Sequence, residues 1–391
     1  MSLPHSLLTT LVAVVMAAAP CAAASTWTQL FSASAGWDGV IDTGLSGHSA
    51  VYDPATNSMT VFGGDAASLA FATTNQVLLL SNANGLGGTS GFSTLIANGA
   101  AGAPPSRSYH SAAYDPASNR MIVFGGATYP NGQSDPSAYL NDTWVLTNAN
   151  GQGGAPVWTQ LSPAGTLPAG RYGQTGVYDS ANNRLTIFGG GYSHVLLTDV
   201  WVLSHANGLG GTPTWTQLSP TGAPPPGCCG TATYDSTNNI MTVFSGYSYS
   251  SNPLGFTLYN GVWTLSHSNG LGGTPHWTNI VANNAPGSPA RRDGGTAVYD
   301  SANNRMIVFG GGSFAANGYP GYNDVWVLSN ANGLGGTPVW TELRPSNAAP
   351  GRRNSHTAVY DAANNRMIVF AGYGTDAQYF SAWTLTDANG L

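Results

Sequence analysis

The stretch Ser111-Ala112-Ala113-Tyr114-Asp115-Pro116-Ala117-Ser118-Asn119-Arg120-Met121-Ile122-Val123-Phe124-Gly125-Gly126 decides the fold. Two short runs, Ser111–Asp115 and Met121–Phe124, flank a turn of Pro, Ser and Asn, and the second run ends on a glycine doublet. Short strand-like runs bounded by such residues read as a hairpin, because Asn and Gly tolerate the positive φ of tight turns.

The unit recurs at Tyr52-Asp53, Tyr114-Asp115, Tyr178-Asp179, Tyr234-Asp235, Tyr299-Asp300 and Tyr360-Asp361, with spacings of 62, 64, 56, 65 and 61 residues. A period of this size marks a repeat architecture. Each unit adds two further runs to strands A and B: strand C, as in Trp144–Leu146, and strand D, as in Trp158–Leu161. The C–D turn reads Asn330-Ala331-Asn332-Gly333-Leu334-Gly335-Gly336-Thr337-Pro338 in the fifth unit. Four antiparallel strands per repeat make a propeller blade. The last C strand, Trp383–Leu385, is followed only by Asn389-Gly390-Leu391, and the D strand it lacks stands at Trp27–Leu30. The expectation is an all-β, six-bladed propeller over residues 25–391, its ring closed by the N-terminal strand.

The glycine doublet, the Asp-x-Trp that opens strand C (Asp142, Asp199 and Asp324 before Trp144, Trp201 and Trp326) and the Arg-x-x-His leading into strand A resemble kelch repeats. They are similar in style to secreted bacterial kelch proteins and to the central propeller of galactose-oxidase-like enzymes. The resemblance implies the fold; kelch propellers serve as binding platforms, scaffolds and, less often, enzymes.

Composition narrows the function. Charged residues make up 7% of the chain, lysine is absent, and the net charge is −6. Dispersed arginines supply no stripe for phosphates, so nucleic acid is excluded as a partner. Residues 1–24 read as a signal peptide: Leu7–Ala19 is apolar but too short to span a bilayer, and Ala22-Ala23-Ala24 offers a small-residue cleavage site. The mature chain is expected outside the cytoplasm, secreted or periplasmic, as a monomer without a membrane span.

The A–B and C–D turns scarcely vary, whereas the B–C and D–A loops differ from repeat to repeat. Twelve of the eighteen tyrosines fall in those loops, on one face of the ring. Tyrosine combines an apolar plane with a hydroxyl and suits sugars and protein surfaces. The candidate ligand residues are Tyr109, Tyr172, Tyr247, Tyr319, Tyr373 and Trp37, with Arg107, Arg171, Arg292 and Arg353 at the inner mouth. Those arginines either face an acidic ligand or are tied to inter-blade carboxylates. His48, His110 and His356 share one repeat position in neighbouring blades, which suits either a metal site or packing. Adjacent Cys228 and Cys229 either close a vicinal disulfide or stay reduced. The expected function is non-enzymatic binding of an extracellular carbohydrate or protein on this face, with no cofactor required. The alternatives are a carbohydrate-active or metal-dependent enzyme at the axial mouth, or a structural envelope component.

Overall fold

The computed structural model describes residues 24–32, 44–129, 138–227, 229–251, 254–313, 321–374 and 379–391. Residues 1–23, nearly all of the expected signal peptide, lie outside the described residues. Six four-stranded antiparallel sheets hold most of the chain, each in the order A-B-C-D. Sheets 1 to 5 run over residues 49–96, 111–160, 175–218, 231–281 and 296–343. Sheet 6 joins 357–385 to the strand Trp27–Ser32. Among the described residues the one helical element is a 3-10 turn at Ala67–Leu69. Among the described residues no helix is long and apolar enough to cross a membrane.

In sheet 2, Ser111–Asp115 pairs with Arg120–Phe124, which pairs with Thr143–Thr147, which pairs with Val157–Gln160. Strand B carries an unbroken apolar run because both of its faces are covered: Met121, Ile122, Val123 and Phe124 are all fully buried. Its terminal phenylalanine reaches the D-strand tryptophan of the next sheet, and this contact repeats round the molecule. Ring centroids are 4.7 Å apart for Phe62–Trp158, 4.9 Å for Phe124–Trp215, 4.8 Å for Phe188–Trp277 and 5.0 Å for Phe244–Trp340. Trp27, from the N-terminal strand, takes the same place on Phe309 at 5.1 Å. That strand pairs with Ser381–Leu385 from Trp27↔Leu385 to Ser32↔Ser381, with a bulge between Gln29 and Phe31. The A strands lie against one another in chain order, and A of sheet 6 lies against A of sheet 1.

The repeated polar residues join the sheets at the turn end. The Asn of each A–B turn (Asn57, Asn119, Asn183, Asn239, Asn304, Asn365) sits at φ between 51° and 53°. Its side chain donates to the Asn of a C–D turn, as from Asn119 Nδ2 to Asn150 Oδ1 at 2.6 Å. That second Asn reaches the preceding sheet, where Asn150 Nδ2 donates to Asp53 at 2.6 Å. The same bond links Asn84 of sheet 1 to Asp361 of sheet 6 at 2.6 Å.

Sheet 4 departs from the expected pattern. Its B and C strands extend to Ile240–Ser251 and Leu254–Ser266, so Tyr247, Tyr249 and Tyr259, expected in a loop, lie on a long hairpin. The alternation Tyr247-Ser248-Tyr249 explains this. Tyr247 and Tyr249 pair with Leu258 and Phe256 on one face, a strand pattern of period two.

Candidate functional site

The residue just before the histidine position occupies a left-handed turn in all six repeats: Gly47, Tyr109, Gly173, Cys229, Gly294 and Ser355, at φ between 52° and 67°. Backbone bonds join five of the six successive pairs. Tyr109 N donates to Gly47 O (2.7 Å), Gly173 N to Tyr109 O (2.8 Å), Cys229 N to Gly173 O (3.2 Å), Ser355 N to Gly294 O (2.8 Å) and Gly47 N to Ser355 O (2.9 Å). Inside this belt opens a cavity of about 770 Å³, lined by residues of all six sheets. A Cβ at Gly47 would stand 3.1 Å from Tyr109 Cζ, a tight contact. The Tyr109 ring thus crosses from sheet 2 over sheet 1, and its hydroxyl meets Ser355 of sheet 6.

The cavity has two unlike walls. Sheets 2 to 4 contribute all four tyrosines of the lining, Tyr109, Tyr129, Tyr172 and Tyr247, together with His110, Gly173, Gln174, Cys229 and Gly230. Tyr109 meets Tyr172 edge-on at 6.3 Å, Tyr172 stacks on Tyr139 at 5.8 Å, and Tyr247 meets Tyr249 at 5.4 Å. Sheets 5, 6 and 1 contribute Asp293, Gly294, Gly295, Asn354, Ser355, His356, Gly47 and His48. No arginine or lysine lines it among the described residues. Burial pushes the Asp293 carboxyl up to about 7. It does the same to Asp65, which lies close enough, with Asp293, to raise the Tyr109 phenol further.

Of the sequence-derived candidates, Tyr109, Tyr172 and Tyr247 meet in this cavity, Tyr247 only 7% exposed. Tyr373 stands outside the lining and is 37% exposed. Trp37, Tyr319 and Cys228 lie outside the described residues, and with Cys228 the choice between a vicinal disulfide and reduced thiols; Cys229 lines the cavity.

The four arginines require a correction. Arg107, Arg171 and Arg292 are 0% exposed and Arg353 is 1% exposed, so none meets a ligand. Nor are they tied between blades. Arg107 donates through Nη1 and Nη2 to both oxygens of Asp142, at 2.7 and 2.8 Å, within its own sheet. Arg171–Asp199 and Arg292–Asp324 repeat the arrangement. Each of the four guanidiniums also caps the carbonyl just after strand B, as from Arg107 Nη1 to Gly125 O at 2.9 Å and from Arg353 Nη1 to Ala371 O at 2.9 Å. Planar bidentate pairing consumes the fork of donors that a ligand would need. The aspartates are held below the usual carboxylate range by these arginines, against the opposing effect of burial.

The histidines require a second. Among the described residues no group of three or more His, Cys, Asp or Glu side chains is placed to hold a metal ion, His48, His110 and His356 included. Each ring nitrogen Nε2 faces a hydroxyl of the preceding sheet: Thr357 at 2.8 Å, Ser49 at 2.7 Å and Thr296 at 2.9 Å respectively. Gln174 fills the position in sheet 3 with a like bond, from Nε2 to Phe124 O at 2.8 Å. Burial lowers His48 to about 3 and the other two well below the usual range, so all three are neutral at pH 7.

Sequence reasoning did not single out Tyr129, Asp293 or the left-handed position as parts of one site. The signal was present as a column that alternates glycine with a side chain, Gly/Tyr/Gly/Cys/Gly/Ser, directly before the histidine position.

The pattern of the KLHDC2/KLHL20/DRC7 Kelch-repeats domain matches residues 90–282 and 134–332, more than half of the chain. Among solved structures the chain is similar to one titled "Structure of YjhT", with a TM-score of 0.58 and 13% sequence identity. The match covers 87% of this chain and 94% of that chain, a likeness of fold.

Proposed function

The chain belongs to the family of Kelch-repeats domains, and from that premise we propose a secreted, six-bladed propeller that binds an uncharged extracellular carbohydrate in its central cavity. A Kelch-repeats domain points to a binding or scaffold role; the ligand class is read from the cavity. The observation that carries it is the pair of unlike walls, all the tyrosines from sheets 2 to 4 and only small or polar groups from sheets 5, 6 and 1, with no arginine between them among the described residues. A sugar offers an apolar ring face to the first and hydroxyls to the second. A volume of about 770 Å³ falls within the range of small-ligand sites, about 300–1,000 Å³. Six sheets, the Trp27–Ser32 strand in sheet 6 and the Asn84–Asp361 bond support the closed ring of six blades. The apolar segment at Leu7–Ala19 supports secretion.

The test is a glycan array probed with the mature protein, followed by calorimetry on the best binder. Tyr172→Ala should weaken that binding by roughly tenfold, about 1.4 kcal/mol, and leave the fold intact. Absence of any glycan binder, or binding indifferent to Tyr172, overturns the reading.

One observation favours a carbohydrate-active enzyme as the second reading. Asp65 and Asp293 both carry carboxyls pushed up to about 7 near the Tyr109 ring, and acids partly protonated at neutral pH suit general acid work. Cleavage products released from the bound glycan would favour it over binding alone.

A further inference from the structure

Four arginines share one slot, and three of them share one kind of counter-ion. Arg353 does not: Ser381 stands in sheet 6 where Asp142, Asp199 and Asp324 stand in sheets 2, 3 and 5. Arg353 keeps the rest of the arrangement, donating from Nε to Gly351 O at 3.0 Å and from Nη1 to Ala371 O at 2.9 Å. In the other three repeats Nη2 donates to the aspartate at 2.8, 2.9 and 2.8 Å. Arg353 Nη2 has no acceptor among the described residues.

A neighbouring aromatic ring does not replace the carboxylate. Arg353 lies 4.6 Å from the Tyr379 ring centroid, but Arg292 lies 4.4 Å from that of Tyr322 and still holds Asp324. The tryptophan that follows registers the change as well. Trp144, Trp201 and Trp326 donate from Nε1 to the aspartate at 2.7, 2.7 and 2.8 Å, whereas Trp383 reaches only the Ser381 hydroxyl, at 3.2 Å. Serine is shorter than aspartate by one carbon and one oxygen, so the outer atoms of the carboxylate have no counterpart in sheet 6. Burial lowers the Arg353 guanidinium to about 10, so it stays charged at neutral pH. A buried charge without a partner is strongly destabilising.

We infer that a monatomic monovalent anion, chloride in ordinary buffers, occupies the place of the missing carboxylate between Arg353 Nη2, Trp383 and Ser381. The size follows from what serine leaves out. Arg353 and Ser381 are 1% and 8% exposed, so a phosphate or a ligand carboxylate has no room to enter. A water fits by size but leaves the charge uncompensated.

The experiment is thermal unfolding of the full chain at constant ionic strength, with chloride replaced stepwise by gluconate. The melting temperature should fall by a few degrees as chloride is withdrawn, with a dependence on the logarithm of its concentration. Ser381→Asp should abolish that dependence and melt higher than the wild type in gluconate. A crystal grown in bromide should show an anomalous peak beside Arg353 Nη2, a readout that stands even where the variant folds poorly. Equal halide dependence in wild type and Ser381→Asp, or no bromide at Nη2, overturns the inference. So does a wild type indifferent to halide whose melting point drops in Asp376→Asn, which would make Asp376, outside the described residues, the counter-ion.

Discussion

The two ends of the sheets follow opposite rules. At the turn end one bond joins every neighbouring pair, from an Asn of the C–D turn to the Asp after the repeated Tyr. It occurs six times at 2.6 to 2.7 Å, in Asn84–Asp361, Asn150–Asp53, Asn207–Asp115, Asn269–Asp179, Asn332–Asp235 and Asn389–Asp300. At the loop end the belt of backbone bonds joins five of six steps, and Gly294 makes no such bond toward sheet 4 among the described residues. Sheets 4 and 5 also carry Gly230 and Gly295 where other repeats have His or Gln. The Thr231 hydroxyl accepts from Ala297 N at 3.0 Å across this junction. The inter-sheet bonding is therefore unbroken where the repeats agree, and the cavity opens where they differ.

Removing the closing strand's anchor should do the most damage. Trp27 is 2% exposed and packs on Phe309, so Trp27→Ala should cost about 3–5 kcal/mol in urea unfolding. A loss below about 1 kcal/mol would mean that the N-terminal strand is dispensable and the turn end is not closed evenly. Next come the Asn–Asp bonds. Asp361→Ala leaves the Asn84 and Asn364 amides without their acceptor, and Asp235→Ala does the same to Asn332 and Asn238. Each should cost about 2–3 kcal/mol, with the seam between first and last sheets equal to an interior one. Unequal losses would break the evenness on which the comparison rests.

The smallest effect belongs to the loop end and depends on pH. His110 is neutral when folded because burial lowers it well below 6.5. The unfolded chain takes up a proton there as pH falls below about 6.5, so the stability present above that value is lost on acidification. His110→Gln, which copies Gln174, should relieve about 1.4 kcal/mol of that loss per pH unit between 6.5 and 5. Asp65 and Asp293 act in the opposite sense, losing stability as pH rises toward 7, but equally in both proteins. Parallel pH curves for the two would show that the imidazole is not what titrates.

Much of this was legible from one sequence because repetition multiplies weak signals. Tyr-Asp, Asn in the A–B turn and the D-strand tryptophan each occur at one offset, and each has one structural job. The fate of the arginines was not legible. Arg107 and Asp142 are 35 residues apart, and only the sheet order brings them together within one blade. The long hairpin of sheet 4 was legible in principle, in Tyr247-Ser248-Tyr249, but a two-residue period inside an expected loop was read as loop. The cavity walls depend on which side chains cross the axis, as Tyr109 does, and that direction is set by the left-handed turn before each histidine position.

Round the mouth those six turns alternate: Gly47, Tyr109, Gly173, Cys229, Gly294, Ser355. Each residue with a side chain leans over the glycine before it; a Cβ on Gly173 would stand 2.5 Å from Cys229 Sγ, and one on Gly294 3.6 Å from Ser355 Oγ. The ring of six thus presents a triangle, and the unit of variation is a pair of repeats. A left-handed non-glycine residue costs about 1–2 kcal/mol, and the belt holds that conformation whatever the side chain. The side chains at the mouth therefore come from three corners, Tyr109, Cys229 and Ser355, carried on a frame of left-handed turns that the glycines share.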